Sequence, residues 1–585
     1  MSVRELITDH LDLWTGAVTH KSSAGRGNNG KVELTGIKKL RELILELAVR
    51  GKLVEQDPND EPASVLLERI TEEKARLVKE GQIKKPKKLP KVSLEELPAP
   101  VPVGWEAVTL SHLGVFCGGK TPSKSKSEFW DGDIPWVTPK DMKMAEVTNT
   151  EDHVTHSATM TGGLELLPED TVLFVVRSGI LRRMFPTAIS RESCTINQDL
   201  KALKLYMPEM ARYVQILSWG FERFILESLT KTGTTVESLK FNEFSVQPFP
   251  FPPLSEQKRI VDKVDELMTL CDRLEQQVGD QLEAHEVVVD TLLDALTHSA
   301  DAAELGENWV RIAEHFDTLF TTEASIDKLK QTILQLAVMG RLVPQDPNDE
   351  PVPGMLEKLP ELPKPARYKK RSNEVIAGNF GLSINHPGLP VPNGWEWVPL
   401  VSIARLESGH TPSRNHAEWW GGSIPWIGIK DARASNDGVI YETIQTINEQ
   451  GLENSAARLL PAGTVCFSRT ASVGYVVIMG KAMATSQDFV NWVPSDAISS
   501  NWLRLVLIAE RPAMGRFSKG AVHQTIYYPA WLAMHIALPP LEEQKRIVEK
   551  ADELMALCDE LKVRLGEAGG TRAQLAEAVV EQAVL

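Results

Sequence analysis

The chain has 585 residues, 42% of them hydrophobic and 24% charged, which is long enough for several globular domains. Its formal net charge of −15 argues, at face value, against nucleic-acid binding, because basic residues that neutralise phosphates are the usual source of that affinity. Five cysteines without a CxxC pair indicate neither a disulfide framework nor a zinc site. No apolar run approaches the ~20 residues that span a membrane, and the acidic N-terminus is unlike a signal peptide, so we expect a cytoplasmic protein without membrane contact.

The N-terminal region, residues 1–101, is predicted to be helical and to end in a basic linker. Apolar residues recur at steps of three and four from Ile37 to Leu47, which is typical of a helix with one buried face. The DPNDEP turn ends this helix, and Ala63–Lys79 predicts a second one. The basic run KKPKKLPK at Lys84–Lys91 follows and is either a solvated linker or a strap that contacts phosphates.

The first module, residues 102–252, has a different pattern of residues. Short apolar runs such as Val172–Val176 alternate with Gly and Pro turns, which predicts a mixed module with considerable strand content. Its 15 basic and 18 acidic residues nearly balance, so most of the negative charge of the chain lies outside it.

A long helix is predicted in the central helical region, residues 253–345. Apolar residues at alternating steps of four and three form a heptad seam from Ile260 to Val278, and the pattern slips by one near Leu282. From Ser255 to Thr297 the helix would be about 64 Å long at roughly 1.5 Å per residue.

The second half of the chain repeats the plan of the first. Ile37–Pro62 (IKKLRELILELAVRGKLVEQDPNDEP) returns as Ile326–Pro351 (IDKLKQTILQLAVMGRLVPQDPNDEP), and Pro253–Glu275 (PLSEQKRIVDKVDELMTLCDRLE) returns as Pro540–Lys562 (PLEEQKRIVEKADELMALCDELK). Two units are too few for a solenoid, so the pattern indicates an internal duplication with pseudo-twofold symmetry.

Between these repeats lie a Pro-rich basic linker and a second module. The linker, residues 346–390, contains the run KPARYKKR at 364–371, and the module, residues 391–539, has 11 basic and 11 acidic residues. In the C-terminal helical region, residues 540–585, we predict a helix only over Leu541–Leu565, shorter than the central one, with the N-terminal piece supplying the missing part. Antiparallel pairing within the chain would bury both heptad seams, and a coiled-coil dimer is the alternative.

The two modules share a set of short anchors in the same order. These are GWE at 104–106 and 394–396, GGKTPS at 118–123 and SGHTPS at 408–413, IPW at 134–136 and 424–426, KD at 140–141 and 430–431, RS at 177–178 and RT at 469–470, QD at 198–199 and 487–488, and the polar stretches TGTTV at 232–236 and KGAVH at 519–523. The tryptophans and Ile-Pro pairs are expected in the core. The polar anchors lie in predicted loops, where such side chains can contact base edges or phosphates.

One stretch matches a nucleotide-binding pattern but lacks the sequence context of a nucleotide site. Gly114–Thr121 (GVFCGGKT) fits the phosphate-loop motif, but Pro122 follows at once, where the mechanism needs a helix to begin. The equivalent Ala404–Thr411 (ARLESGHT) lacks both the first glycine and the lysine. We also find no methyltransferase motif, no metal-binding cluster and no nucleophile in a recognisable context. The sequence therefore predicts a non-catalytic chain.

The pattern resembles the specificity (S) subunit of type I restriction–modification systems over nearly the whole chain. The resemblance is carried by PLSEQKRIVDKVDELM at 253–268, PLEEQKRIVEKADELM at 540–555, and the GWE, TPS and IPW anchors. It implies an α+β fold in which two mixed target-recognition domains are joined by long antiparallel coiled-coil helices. It also implies that each domain reads one half of a bipartite DNA site, while the helices set the spacing and dock methyltransferase subunits.

The same resemblance implies partners and cofactors. The expected partners are double-stranded DNA, a pair of methyltransferase (M) subunits and restriction/translocase (R) subunits. No cofactor is expected on this chain, since S-adenosylmethionine, ATP and Mg would be used by the partner subunits.

Loop residues at the shared anchors are the predicted DNA contacts. They are Lys120, Thr121, Ser123, Lys124, Lys140, Arg177, Ser178, Gln198, Lys231 and Thr232 in the first module, and His410, Thr411, Ser413, Arg414, Lys430, Arg469, Thr470, Gln487, Lys519 and His523 in the second.

Two other function classes remain open from the sequence. The first is a coiled-coil protein-interaction scaffold without DNA specificity, which the negative charge favours and the paired basic linkers oppose. The second is an enzyme that uses the phosphate-like loop at Lys120, which nucleotide-binding measurements would test.

Overall fold

The structure is a computed structural model that describes residues 7–20, 32–84, 89–231, 233, 236–363, 383–385, 389–470, 472–519 and 524–584. The chain forms two compact units, Met1–Gln281 with Gly566–Leu585, and Leu282–Leu565. Each unit contains one β-rich module and a set of helices.

Most of the α-helices are short, and two are very long. In chain order they are α1 (Leu11–Gly16), α2 (Thr35–Val49), α3 (Ala63–Lys79), α4 (Leu110–Leu113), α5 (His156–Met160), α6 (Ala211–Gly220), α7 (Glu222–Ser228), α8 (Phe241–Phe244), α9 (Leu254–His298), α10 (Ala302–Glu314), α11 (Phe316–Leu319), α12 (Glu323–Val338), α13 (Val352–Glu357), α14 (Leu400–Ile403), α15 (Ile429–Ala434), α16 (Glu449–Glu453), α17 (Ser500–Ala509), α18 (Arg511–Met514), α19 (Tyr528–Leu532) and α20 (Leu541–Val584).

The strands are short and cluster in the two modules, as the sequence predicted. In the first unit they are β1 (Thr19–His20), β2 (Val32–Glu33), β3 (Glu106–Thr109), β4 (Gly114–Gly118), β5 (Trp130–Val137), β6 (Glu146–Val147), β7 (His153–Val154), β8 (Val172–Val175), β9 (Thr187–Ser190), β10 (Thr195–Ile196), β11 (Leu200–Leu205), β12 (Thr230–Lys231), β13 (Ser238–Leu239) and β14 (Pro248–Phe251). In the second unit they are β15 (Glu396–Pro399), β16 (Ala404–Ser408), β17 (Trp420–Ile427), β18 (Val439–Ile440), β19 (Gln445–Ile447), β20 (Val465–Ser468), β21 (Val476–Met479), β22 (Ala484–Thr485), β23 (Phe489–Pro494), β24 (Ser518–Lys519), β25 (Thr525–Ile526) and β26 (His535–Leu538).

The first module is built on a five-stranded sheet with the order β4-β11-β8-β9-β6 and a three-stranded sheet with the order β10-β5-β7. All neighbours in the larger sheet are antiparallel except β6 and β9. Strands β3 and β14 pair antiparallel, so the start and the end of the module lie side by side. Strand β8 is buried along its whole length, which explains the unbroken apolar run at this point of the sequence.

The second module repeats this topology strand for strand. Its sheets have the orders β16-β23-β20-β21-β18 and β19-β17-β22, with β15 paired to β26. Among the described strands of this module, one pair in each sheet is parallel, β18 with β21 and β17 with β22. The predicted repeat of a mixed α/β module is therefore confirmed, although the sequences of the modules share only scattered anchors.

The two equivalent cores share one phenylalanine position, Phe174 and Phe467, and differ in the aromatic residues that surround it. In the first module Phe174 contacts Phe185 and Phe244, with ring centroids 6.0 and 5.5 Å apart. In the second module Trp531 packs against Phe467 and Trp492 at centroid distances of 5.1 and 6.5 Å. All of these rings are fully buried. The two modules have the same topology although many of their core side chains differ. The volume and the hydrophobic pattern of the core residues therefore matter more than their exact type.

Three helices of the second unit, α9, α12 and α20, pack together, where the sequence analysis expected a pair. Lys330 contacts Asp559 and Asp327 contacts Lys562, so α12 and α20 run antiparallel. Lys328 contacts Asp290, and Arg341 donates to the carbonyl of Ser299, so α12 and the last part of α9 run parallel. The portions of α9 and α20 in this unit are therefore antiparallel, as expected, and α12 contributes to burying their seams.

The first unit contains the equivalent arrangement. Arg41 on α2 contacts Asp272 on α9, and Lys39 contacts Glu577 near the end of α20. Lys52 donates to the carbonyl of Ala583, so α2 runs parallel to this last part of α20. Each unit thus combines the start of one long helix with the end of the other.

The predicted end of the C-terminal helix at Leu565 is wrong. Helix α20 continues to Val584 and has 44 residues, against 45 in α9. The N-terminal piece does not replace a missing part of this helix. It packs against the C-terminal half of the helix, where a Cβ atom on Gly569 would lie 3.0 Å from the carbonyl oxygen of Val18. In the second unit residues 300–322 pack against the end of α9, where Asn308 on α10 donates to the carbonyl of Ala295.

Candidate nucleic-acid interface

In each module the loops that carry the shared polar anchors meet at one edge, which we call the loop edge. It comprises loops 119–126, 138–141, 177–183, 197–199 and 236–237 in the first module, and loops 409–416, 428–431, 469–470, 486–488 and 524–526 in the second.

Backbone hydrogen bonds join the loops of the first edge. The amide of Lys120 donates to the carbonyl of Ile196 at 2.9 Å, and the amide of Asn197 donates to that of Val137 at 3.0 Å. The amide of Ser178 donates to the carbonyl of Glu237 at 3.2 Å. These contacts bring together anchors that are up to ~120 residues apart in the chain.

The second edge is joined in the same way. The amide of His410 donates to the carbonyl of Thr485 at 2.9 Å, and the amide of Ser486 donates to that of Ile427 at 3.0 Å. The amide of Ile526 donates to the carbonyl of Arg469 at 2.9 Å. The structure therefore brings these anchor loops together in both modules.

Tryptophan side chains fix the loop that carries the TPS anchor. In the first module the indole of Trp136 donates to the carbonyl of Lys120 and that of Trp130 to the carbonyl of Ser123, both at 3.2 Å. In the second module the indole of Trp426 donates to the carbonyl of His410 at 3.0 Å. These residues form a common framework, because their contacts recur although the loop residues they hold differ.

The threonine and glutamine side chains that were predicted to contact DNA are hydrogen-bonded to each other. The hydroxyl of Thr121 donates to the Gln198 side chain, and that of Thr411 donates to the Gln487 side chain. Because both pairs are identical in type and partner, they cannot distinguish one module from the other.

Several side chains that were predicted to contact DNA are exposed and have no ion-pair partner among the residues that the structure describes. They are Lys124, Arg177, Lys231 and Lys430. The remaining lysines have weak local contacts, since Lys140 lies 3.7 Å from Glu151 and Lys120 donates to the carbonyl of Gly162. Exposed cations of this kind are available to contact phosphates or base edges.

The hydroxyls of the predicted serines contact their own loops. Ser123 lies 2.8 Å from the Ser125 hydroxyl, Ser178 accepts from the amide of Ile180, and Ser413 accepts from the amide of Asn415. They help to shape the turns in which they lie.

Arg469 is held by its own module. Its guanidinium donates to the carbonyl of Gln487 at 3.0 Å and lies 4.7 Å from the centre of the Tyr528 ring. Its neighbour Thr470 shares a 2.5 Å hydrogen bond with Thr525. Arg469 and Thr470 thus link two loops of the second edge.

Some predicted positions fall outside the described part of the chain. Thr232 and His523 lie outside the described residues, as do residues 85–88 of the first basic run and all of the second run, 364–371. For Lys519 only the backbone is described.

Sequence reasoning underestimated the aspartate of the KD anchor. The Asp141 carboxylate accepts from the amides of Thr138 and Glu151, at 2.8 and 3.1 Å. Asp431 accepts in the same way from Gly428 and Ile444, at 2.9 and 2.7 Å. Its presence in both modules was the available signal, and its role is to fix residues 151 and 444 beside the lysine of the anchor.

Arg414 is an exposed cation that is held by neighbouring side chains. Its guanidinium carbon lies 4.2 Å from the centre of the Trp420 ring, and it donates to the side-chain oxygen of Gln445 at 3.0 Å. Gln445 was missed by the sequence analysis, because it belongs to no shared motif and lies 31 residues from Arg414.

The chemistry of the described residues is that of a binding surface. Burial raises the pKa of the thiols of Cys117 and Cys194 to about 11, which makes them poor nucleophiles at neutral pH. The phosphate-like stretch Gly114–Gly118 is strand β4 and is followed by a loop, not by a helix N-terminus. In the described residues no cluster of His, Cys, Asp and Glu has the geometry of a metal site, and no helix is long and apolar enough to cross a bilayer.

Comparisons with known proteins agree with this picture. The model of the type I restriction modification DNA specificity domain matches residues 102–284 and 392–567. The specificity subunit of the Escherichia coli type I restriction enzyme EcoAI is 36% identical over 609 residues, covering 100% of both chains. That of EcoEI, also from Escherichia coli, is 35% identical over 618 residues, again covering 100% of both chains.

A more distant likeness exists among solved structures. One chain from a study of complex assembly in the type I R-M system is 18% identical, with a TM-score of 0.47. The match covers 85% of this chain and 99% of that one.

Proposed function

The chain belongs to the family of type I restriction–modification DNA specificity subunits, and from this premise we propose that each of its two modules reads one half of a bipartite DNA site. The chain is a DNA sequence-specificity subunit and a non-catalytic component of its complex. The duplicated fold offers two modules between which that recognition can be divided.

The observation that supports this division is one framework carrying two different sets of loop residues. The same tryptophan, aspartate and Thr–Gln contacts recur at both loop edges. The exposed positions between them differ, for example Lys124 against Arg414 and Glu151 against Ile444. Two surfaces with different hydrogen-bonding groups should prefer different base pairs, because each base pair presents its own pattern in the major groove.

The partners of the chain are DNA and the other subunits of a type I complex. We propose that a pair of methyltransferase subunits docks on the helices and that restriction/translocase subunits complete the complex in the cytoplasm. S-adenosylmethionine, ATP and Mg would be bound by those subunits. Their basic surfaces would also supply phosphate contacts, which accounts for DNA binding by a chain with a net charge of −15.

A mobility-shift measurement with methylation sequencing tests the proposal. The chain co-expressed with its methyltransferase partner should retard one specific duplex and produce a split methylation motif with unread base pairs between its halves. A protein scaffold without DNA specificity would retard no duplex selectively. A continuous motif would contradict the assignment of one half-site to each module.

A further inference from the structure

The two loop edges differ most clearly around Arg414 and its equivalent, Lys124. Arg414 is restrained on two sides, by the Trp420 ring at 4.2 Å and by the Gln445 side chain at 3.0 Å. A second ring, that of Trp426, lies 5.6 Å from the same guanidinium. Arg414 itself remains exposed. An exposed cation with three such contacts has lost much of its rotamer freedom before any ligand binds.

The first module has the same scaffold without this restraint. Trp130 and Trp136 meet edge to face at 5.1 Å, as Trp420 and Trp426 do at 5.2 Å. Thr150 accepts from the amide of Trp136 and donates to the carbonyl of Asp152. Thr443 makes the same two contacts with Trp426 and Gln445, so Asp152 and Gln445 are equivalent positions.

The substitutions between the modules make the surroundings of Arg414 more positive than those of Lys124. Lys124, Lys140, Glu151 and Asp152 sum to zero charge, whereas Arg414, Lys430, Ile444 and Gln445 sum to +2. Lys140 lies 3.7 Å from Glu151, but the equivalent Lys430 has an aliphatic residue, Ile444, at that position. Ile444 is 72% exposed. The surroundings of Arg414 are therefore positive and partly apolar, whereas the charges at the equivalent positions of the first module cancel.

On the basis of the proposed function, we infer that Arg414 recognises a guanine in the half-site of the second module. A planar guanidinium can pair with both O6 and N7 of guanine in the major groove, which is the commonest specific contact between proteins and DNA. Stacking on Trp420 and the bond to Gln445 fix the plane of the fork, so less entropy is lost when the two hydrogen bonds form.

Gln445 is a positioning residue in this arrangement. Its side-chain oxygen accepts from one guanidinium nitrogen, and its own backbone is tied to Thr443. Lys124 in the first module has no equivalent restraint. Its ammonium group is a compact charge and lacks the planar pair of donors of a guanidinium, so it is suited to contact a phosphate.

The test uses the assembled complex and its recognition duplex, once the motif is known. Each guanine of the second half-site is replaced singly by 7-deazaguanine, which lacks only the N7 acceptor. At one position the replacement should weaken wild-type binding by about tenfold, within the range for a bidentate contact. The Arg414→Ala variant should bind the unmodified duplex more weakly and lose the sensitivity to 7-deazaguanine at that position.

Two further variants serve as controls. Lys124→Ala, the matched change in the first module, should leave the 7-deazaguanine effect in the second half-site intact. Gln445→Ala should weaken binding while keeping the dependence on N7, because the arginine is still present but less well placed. Binding through the first half-site monitors the folding of every variant, since a 7-deazaguanine or mismatch effect there should persist.

The outcomes separate the inference from the function on which it rests. The inference is overturned if the second half-site contains no guanine, if no single 7-deazaguanine matters, or if Arg414→Ala retains the full effect. In each of these cases selective binding of a split site still supports the proposed function. If no duplex is bound selectively, both fall together.

Discussion

At the scale of residues, the duplication separates side chains that build the loop edge from side chains that can vary on it. Trp136 and Trp426 make equivalent contacts, and so do the pairs Thr121–Gln198 and Thr411–Gln487. A residue that is identical in both modules and bonded within its own module is best explained as framework. The residues that give each module its own preference should be sought among those that differ.

A framework role for Gln487 has a measurable consequence. Gln487→Ala removes the acceptor of the Thr411 hydroxyl, and the loss of one hydrogen bond typically costs about 1 kcal/mol. Binding to the recognised duplex should fall several-fold, while the order of preference among single-base variants of the site stays the same. Competition binding against a panel of such variants measures this. A changed preference at one base pair would show that Gln487 reads that base.

A buried carboxyl group in each repeat predicts a dependence on pH. Glu543 is 1% exposed and accepts from the Trp395 indole at 3.0 Å, and Glu256 accepts from Trp105 in the same way. Burial raises the pKa of both carboxyl groups, although Trp395 and Trp105 act in the opposite direction. The folded state therefore holds these protons more tightly than the unfolded chain does, and the resulting stability is lost as pH rises through the folded-state pKa.

Glu543→Gln should remove this loss, because the amide keeps an acceptor for Trp395 and carries no charge. We expect the variant to have a higher Tm than the wild type at pH 8, by about 2–4 °C for each kcal/mol recovered, and the difference to shrink toward pH 4. Thermal unfolding across that range measures it. The exposed Glu553→Gln on the same helix is the control and should change little. A variant that is less stable at pH 8 would mean that the charged form is favoured in the fold.

At the scale of elements, the sequence predicted the helices and the strand content well where one face is buried. Helix α3 has the predicted bounds Ala63–Lys79, and α9 differs from its prediction by one residue at each end. The regular apolar spacing of these helices reflects one buried face on each helix, which a sequence pattern can reveal.

The error at the end of α20 has a physical cause. The stretch after Leu565 contains Gly566, Gly569 and Gly570, each of which costs a helix about 1 kcal/mol relative to alanine. Contacts distant in sequence offset that cost, since Ala576 and Val580 are buried and Gly569 allows the close approach of the Val18 backbone. Local propensity cannot show a neighbour that is 550 residues away, and for the same reason the partnership of Arg414 with Gln445 was not predicted.

The two residues that form an ion pair between α12 and α20 have opposite charges at the equivalent positions of the first unit. Asp327 pairs with Lys562 at 2.8 Å, whereas the first unit has Lys38 and Glu275 at these places. Exchanging the helices between units would place Lys38 beside Lys562 and Asp327 beside Glu275. The reversal therefore favours the native pairing over the exchanged one.

Lys562→Glu should destabilise the second unit by about 0.5–1 kcal/mol, since the pair is partly exposed and the variant faces both Asp327 and Glu323. The double variant with Asp327→Lys should recover much of the loss. Hydrogen exchange in α12 monitors the local effect, with Lys545→Glu as a solvent-exposed control on α20. A double variant that is as unstable as the sum of the single ones would mean that the pair does not contribute to pairing.

At the scale of the whole molecule, two copies of one topology are connected by two helices of nearly equal length. Each long helix begins in one unit and ends in the other. This continuity supports the proposal that the helices set the number of unread base pairs between the half-sites.

Lengthening both helices tests that role. Seven residues inserted after Gln281 in α9 and after Leu565 in α20 add about 10 Å of helix, or roughly three base pairs of DNA. The gap in the methylation motif should widen by about that number while both half-sites stay the same. An insertion of seven residues into the Pro-rich linker at 359–363 is the control and should not change the gap. An unchanged gap after the helix insertion would remove the helices as the determinant of spacing.

The most direct test of the account is an exchange of one module. Residues 391–539 are replaced by the second module of a relative with a different recognition motif, and the methylated sites of cells carrying the complex are sequenced. The account predicts that one half of the split motif changes to that of the relative while the other half and the gap are retained. A change in both halves would show that the modules do not read DNA independently.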